Sequence, residues 1–264
     1  MRYVRFQRRG EETIRSGWME EDRIGLIEGP LFGAHRRLPA ARVPASVRLL
    51  APVVPGKIVC VGRNYAEHAR EHGAEVPEIP MLFLKPPSAV IGPRDPIVLP
   101  EQSEQVEHEG ELAVVIGKRA RCLGIDEARE AIFGYTAAND VTARDLQRKD
   151  GQWTRAKGFD TFCPLGPWIE TAADPGDLRI TCRVNGQIRQ LASTREMVFS
   201  AFQLVAFVSG IMTLEPGDVL LTGTPAGVGP LRTGDVVQVD IQGVGMLENP
   251  VAGPASEPPA AENF

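Results

Sequence analysis

Two acidic residues at the mouth of one apolar run set the terms for this chain. The run is Leu112–Ile116, inside HEGELAVVIG at 108–117, and Glu109 and Glu111 stand at its start. So short and apolar a run reads as a buried strand, on which side chains two apart point to one face. Two carboxylates therefore share one small volume, where their repulsion demands a retained proton or a neutralising cation. A third carboxylate, Asp140, follows a second apolar segment, Phe133–Ala138. Behind it, Thr142-Ala-Arg-Asp145 has the form of a loose capping box, which predicts a helix start and puts Asp140 at a strand-to-helix turn. Three carboxylates, with no thiolate or imidazole needed, suit a hard cation that keeps positions open for water and substrate: Mg²⁺ or Mn²⁺, with Ca²⁺ also admitted. Two blander arrangements stand beside this one. An acid-x-acid pair also marks a solvated sheet face, and Arg144 or Lys157 could neutralise the carboxylates in a structural ion-pair cluster.

At 264 residues the chain can bury one large core with a small appendage. A net charge of -5 argues against a nucleic-acid partner, which favours a basic surface. No apolar run approaches the ~20 residues that span a bilayer, and the start MRYVRFQRRGEE lacks the apolar core of a secretory signal. The expectation is a cytoplasmic protein with no membrane partner. Cys60, Cys122, Cys163 and Cys182 form no CxxC pair, which argues against zinc and makes reduced thiols the default.

Residues 1–54 read as a small β-rich segment and connector. Tyr3–Phe6 and Arg23–Ile27 are its strands, Gly10 and Gly17 its turns, and Gly29–Pro55 is broken by Pro30, Pro39, Pro44, Pro52 and Pro55. Residues 55–252 form the main domain. Lys57–Val61 reads as a strand, and Asn64–His72 has a helical composition stopped by Gly73. On that helix His68 and Glu71 share a face, although a solvated helix laced with charge is the competing reading. Met81–Leu84 is a strand leading to Lys85, which either reaches the site or lies on the surface; Pro93–Gln105 is a loop and Ile125–Ile132 a helix. Asn185-Gly186 marks a hairpin turn, and Ser193–Ile211 reads as one helix with Phe199, Phe202, Leu204, Val205, Phe207 and Val208 toward the core. The glycine-rich Thr222–Pro230 lacks the Lys-Ser/Thr of a nucleotide loop. Residues 253–264 read as a disordered tail. Many short strands, few helices and no βαβ rhythm predict an α+β fold with a mixed, rolled β-structure.

CVGRNYAEHARE at 60–71, FLKPPS at 83–88, EGELAVVIG at 109–117, NDVTARDLQ at 139–147, AKGFDTFCPLGP at 156–167 and LLTGTPAGVGP at 220–230 follow one another in an order that resembles the fumarylacetoacetate hydrolase family. The resemblance implies a divalent-metal enzyme that acts on a small 2-oxo acid or 2-hydroxydienoic acid through an enolate held at the metal. The chemistries it implies are C–C hydrolysis of an acylpyruvate or isomerisation of 2-hydroxyhepta-2,4-diene-1,7-dioate. The alternatives are oxaloacetate-type decarboxylation and a non-catalytic metal-binding assembly module. It further implies Glu109, Glu111 and Asp140 as metal ligands, His68 and Glu71 as an acid/base dyad on a mobile lid, and Lys157 beside the enolate. Arg144, Gln147 and Thr224 would bind the substrate's carboxylate and oxo groups, with Lys85 joining them. A homodimer, with the N-terminal segment packed on the main domain, completes the expectation.

Overall fold

The computed structural model describes residues 1–8, 10–42, 47–71 and 73–254. Pro44, His72 and most of the expected disordered tail, residues 255–264, lie outside the described residues.

The fold is built outward from the Gly110–Ile116 strand, whose seven residues are all buried. Leu112, Val114 and Ile116 enter one hydrophobic core, with Ile180, Leu204 and Val239. Ala113 and Val115 enter another, with Ile58, Ile169 and Val219. A strand covered on both faces cannot alternate apolar with polar, which is why it reads as an unbroken apolar run. It pairs antiparallel with Ile132–Asn139 on one side and with Val219–Leu221 on the other. Val219–Leu221 then runs parallel to Ile58–Gly62, which pairs with the edge strand Met81–Lys85. On the opposite flank Ile132–Asn139 pairs with Cys163–Glu170.

The N-terminal segment extends this large sheet. Arg2–Arg8 pairs with Cys163–Glu170 through Arg2↔Glu170 and Tyr3↔Ile169, and with Ile14–Glu20 on its other side. Gly17, expected at a turn, sits inside the Ile14–Glu20 strand. A Cβ there would lie 2.8 Å from the Gly25 carbonyl and 3.0 Å from the Phe6 ring, so close sheet packing accounts for the glycine. The proline-rich connector also adds short strands, Arg36–Arg37, Ala41–Arg42 and Val47–Leu50.

A second sheet of five strands runs Ile97–Val98, Gly245–Ala252, Val236–Ile241, Arg179–Val184, Gln187–Ser193. Ile97–Val98 interrupts the expected 93–105 loop. The hairpin turns at Asn185 and Gly186, both at positive φ (53° and 77°), as a two-residue turn between strands requires. A small three-stranded sheet joins Thr142–Ala143, Val106–His108 and Gly229–Pro230. The architecture is therefore α+β and mostly sheet, with mixed strand directions and few helices. Among the described residues the large sheet does not close into a barrel, since its path ends at Arg36–Arg37 and Met81–Lys85.

Two helix expectations need correction. The segment from Ser193 is not one helix: Thr194–Glu196 forms a single 3₁₀ turn, and the α-helix spans Ala201–Ile211 with Ser200 as its cap. Between them the Val198 and Phe199 amides bond Asn64, a long-range partner that outcompetes local helix formation. Thr142 caps nothing. It lies in a strand, its hydroxyl donates to the Asp140 carbonyl at 2.8 Å, and the helix begins at Arg144. No helix among the described residues is long and apolar enough to cross a membrane.

Candidate active site

Glu109, Glu111 and Asp140 converge at the mouth of the central strand pair. Each offers an oxygen, and these lie within 4.8 Å of one another in a buried cluster. Register explains the meeting: Gly110 pairs with Asn139, so Glu109 and Glu111 flank the residue opposite the end of the Ile132–Asn139 strand, and Asp140 is the next residue out. The Asp140 amide bonds the Glu109 carbonyl at 2.8 Å, and the Asn139 side chain accepts from the Glu109 amide at 2.9 Å.

The cations expected to compete for these carboxylates are there. Lys157 Nζ donates to Glu109 Oε2 at 2.9 Å and to Asp140 Oδ2 at 2.7 Å. Arg144 bonds Glu107 at 2.8 Å and Glu109, and reaches Gln147 Oε1 at 2.6 Å. Lys85 donates to Asp140 Oδ1 at 2.5 Å and to the Val141 carbonyl at 3.0 Å. The ion-pair arrangement and the candidate metal cluster thus use the same residues.

One carboxylate is left out of that pairing. Among the described residues Glu111 has no cation within bonding distance, and its Oε2 accepts only the Gly223 amide, at 2.7 Å. Burial, then the charges of Asp140 and Glu109, push its carboxyl well above the ordinary carboxylate range. Glu109 moves the other way. Burial would raise it, but Lys157 and Arg144 outweigh that and hold it well below the usual range. Burial would likewise lower the Lys157 ammonium, yet Asp140 and Glu109 raise it, so it stays a cation. A buried triad of hard oxygen donors, one short of a positive partner and opening on a cavity, fits a divalent cation.

The cavity holds about 210 Å³ and is lined by Glu109, Glu111, His68, Arg144, Gln147, Lys157 and Thr224, with Arg63, Arg148, Phe83 and Trp153 also on its wall. Lys85 is absent from that wall. With its side chain wholly buried behind Asp140, it braces the cluster and lines a neighbouring cavity with Phe83 and Trp153. Thr224 faces the cavity, but its hydroxyl donates to the Gly110 carbonyl at 2.9 Å and accepts from Gln190 Nε2 at 2.7 Å.

The expected lid is the helix Ala66–Glu71. His68 Nδ1 lies 3.3 Å from Glu71 Oε2, and Glu71 also accepts the Gly227 amide, at 3.1 and 3.2 Å. The helix has more anchorage than its composition suggests: Tyr65 and Ala69 are buried, and Asn64 binds the carbonyls of Phe199 (3.0 Å) and Thr222 (2.7 Å).

Two buried groups were not singled out from sequence. Glu107 holds the Nε side of Arg144. Gln190, from the five-stranded sheet, accepts the Gly110 amide at 2.9 Å, lies 3.2 Å from His108 Nδ1 and donates to Thr224 and to the Pro225 carbonyl. Glu107 had a visible signal, an acidic residue two before Glu109; Gln190, in a polar hairpin strand, had none. The four cysteines are all free, and Cys60, Cys163 and Cys182 are buried.

Residues 57–252 match the model of the fumarylacetoacetate (FAA) hydrolase C-terminal region, and residues 1–52 match an N-terminal region described as Rv2993c-like. A mitochondrial oxaloacetate tautomerase of Rattus norvegicus is 47% identical over 232 residues, covering 82% of this chain and 74% of that protein. The crystal structure of 5-carboxymethyl-2-hydroxymuconate delta-isomerase from Mycobacterium smegmatis superposes with a TM-score of 0.89 at 46% identity, over 96% of this chain and 100% of that one. The 2-hydroxyhepta-2,4-diene-1,7-dioate isomerase from Mycobacterium marinum gives 0.87 at 44% identity, over 97% and 100%.

Proposed function

The chain belongs to the fumarylacetoacetate hydrolase family, and on that premise we propose that it is an enzyme that moves a proton on the carbon beside the oxo group of a 2-oxo acid. The observation that carries this is the placement of His68 and Lys157 on the wall of one cavity with the Glu109–Glu111–Asp140 cluster. All three relatives described above are named for a tautomerisation or an isomerisation, and both reactions need a proton taken from one atom and returned to another.

A divalent cation bound by Glu109, Glu111 and Asp140 would supply Lewis-acid polarisation of the oxo group. Lys157, kept cationic by Glu109 and Asp140, donates hydrogen bonds to the oxygen on which negative charge develops. Glu71 accepts a hydrogen bond from His68 Nδ1 in the tautomer that makes Nε2 the base. The Gly227 amide on Glu71 fixes the carboxylate that orients the ring. Arg144 and Gln147, already bonded to each other, present one polar face to the substrate's carboxylate.

Acylpyruvate hydrolysis, the other expected chemistry, needs the same residues and in addition an attacking water at the far carbonyl. The names of the relatives favour proton transfer over it. A homodimer is part of the same proposal, and sedimentation of the purified protein tests it. The decisive assay follows the enol absorbance of oxaloacetate and of acylpyruvates with and without Mg²⁺. Catalysed ketonisation without C–C cleavage supports the reading; cleavage products replace it with hydrolysis, and no turnover of any 2-oxo acid removes both.

A further inference from the structure

Gln190 lies behind the cavity wall, not on it, and its side-chain amide is fully engaged. Its Oε1 accepts the Gly110 amide at 2.9 Å and lies 3.2 Å from His108 Nδ1, while its Nε2 donates to the Thr224 hydroxyl and to the Pro225 carbonyl, both at 2.7 Å. An amide has two lone pairs and two N–H bonds, so with the His108 proton on Nδ1 none is left over. Its orientation is fixed by these partners: the oxygen alone can take the Gly110 N–H, and the nitrogen alone can serve the Pro225 carbonyl. The Thr224 hydroxyl then donates to the Gly110 carbonyl at 2.9 Å, which closes a ring of hydrogen bonds through Gln190, Gly110 and Thr224.

The ring touches both halves of the site. Gly110 is the residue between Glu109 and Glu111. Thr224 and Pro225 are the middle of the loop 223–227, whose two ends each give an amide to a different carboxylate. Gly223 donates to Glu111 Oε2 at 2.7 Å, in the cluster, and Gly227 donates to Glu71 at 3.1 and 3.2 Å, beside His68. The loop has little freedom to adjust. Gly227 has a φ of 99° and lies so close on the hairpin strand that a Cβ there would run into the Arg189 carbonyl oxygen. Thus the side chain of Gln190 holds the loop at its centre, and the backbone next to it holds the loop at its end.

We propose that Gln190 is a positioning residue that sets the carboxylate cluster and the His68–Glu71 pair in place relative to each other, through the loop 223–227. The role rests on the catalytic reading given above for its consequence, but its test needs no turnover. Gln190→Met keeps the length of the side chain and removes all of its hydrogen bonds. Calorimetric titration should then show Mg²⁺ bound about 10-fold or more weakly. The ring tautomer of His68, read from the ¹⁵N shifts of labelled histidine and assigned by the loss of its signals in His68→Ala, should drift from Nδ1–H toward a mixture as Glu71 loses its fixed orientation. Val184→Ala opens a cavity on the neighbouring strand of the same hairpin and, at a similar fall in Tm, should leave both readouts as in the wild type. Thr224→Val breaks the ring from its other side and should move both readouts in the same direction by less, which carries the test if Gln190→Met does not fold. In turnover the loss should fall on kcat more than on KM. Unchanged Mg²⁺ affinity or an unchanged His68 tautomer in Gln190→Met overturns the proposal, and so do equal changes in Val184→Ala, which would make Gln190 a support of the fold alone. If the wild type turns over no 2-oxo acid while both readouts move, the catalytic reading fails and the positioning role stands.

Discussion

The two sides of the cavity are made in different ways. The wall that carries Glu109, Glu111 and Asp140 is the end of two central strands, with every carboxylate buried and two of the three already matched by lysine or arginine. The side that carries His68 is a helix of six residues, joined to the rest through Asn64, two buried apolar side chains and the Gly227 amide. The first is preorganised, and rearranging it would strip partners from buried charges. The second is a shorter element, tied to its surroundings by hydrogen bonds of modest net worth each. On the proposed reading, charge stabilisation is built into the sheet and proton transfer is assigned to His68 on the smaller element.

Four measurements would break or sharpen that contrast. The largest effect is expected at the sheet wall. Asp140→Ala leaves, among the described residues, the Val141 carbonyl as the one hydrogen-bond partner of Lys85 and Glu109 as that of Lys157, and should cost about 3–5 kcal/mol of stability together with about 10³-fold in activity. Denaturant melts and a Mg²⁺ titration read both losses; a variant as stable, as active and as well loaded with cation as the wild type would sink the cluster assignment.

Next comes His68→Ala, with a loss of about 10²-fold or more in proton transfer and a change in Tm of less than about 3 °C. If the melt drops as far as for Asp140→Ala, the helix is as integral to the core as the sheet, and the contrast disappears.

A smaller effect is expected from Glu71→Gln, which keeps the size of the side chain but removes the charge facing His68 and the Gly227 amide. Activity should fall about 10-fold, chiefly in kcat. Unchanged kinetics would show that Glu71 merely fastens the helix.

The smallest effect is a pH trend. The Glu111 carboxyl is raised in the folded chain, so the folded state holds a proton that the unfolded chain gives up. Its contribution to stability is thus full below the ordinary Glu value near 4.5 and is lost as pH rises through the raised value. A cation on Glu111 replaces that proton and removes the loss. The Tm gained on adding Mg²⁺ should therefore grow with pH, and a flat increment would place the cation elsewhere.

Much of this was open to a reader of the sequence, and the reasons differ element by element. The carboxylate cluster could be seen because strand periodicity is local: Glu109-Gly-Glu111 ahead of five apolar residues places two acids together without knowledge of any partner strand. The Asn185-Gly186 hairpin was visible for the same reason. Ser193–Ile211 misled because it contains two capping boxes, Ser193-x-x-Glu196 and Ser200-x-x-Gln203, and only the second starts an α-helix. What separates them is Asn64, more than 130 residues earlier, which takes the Val198 and Phe199 amides. Lys85 had two readings open, on the surface or at the site; it reaches the site as a buried partner of Asp140, because a side chain's depth is set by what the fold lays over it.

Gln190 turns a peripheral hairpin into part of the site's foundations. Its one amide group connects the five-stranded sheet to Gly110, His108, Thr224 and Pro225. Along Gln187–Ser193 it is the one fully buried position, flanked by exposed Arg189 and Leu191. The pairing already slips by one residue at this point, Arg183 facing Ile188 while Cys182 faces Gln190 with Arg189 between them, so the length of the stretch from Gly186 sets which side chain enters the site. Substitutions on the outer face of this hairpin are thus free to accumulate, whereas changes of length are not. In lineages descended from this chain, drift should show in the identity of residues 187, 188 and 189 and spare their number.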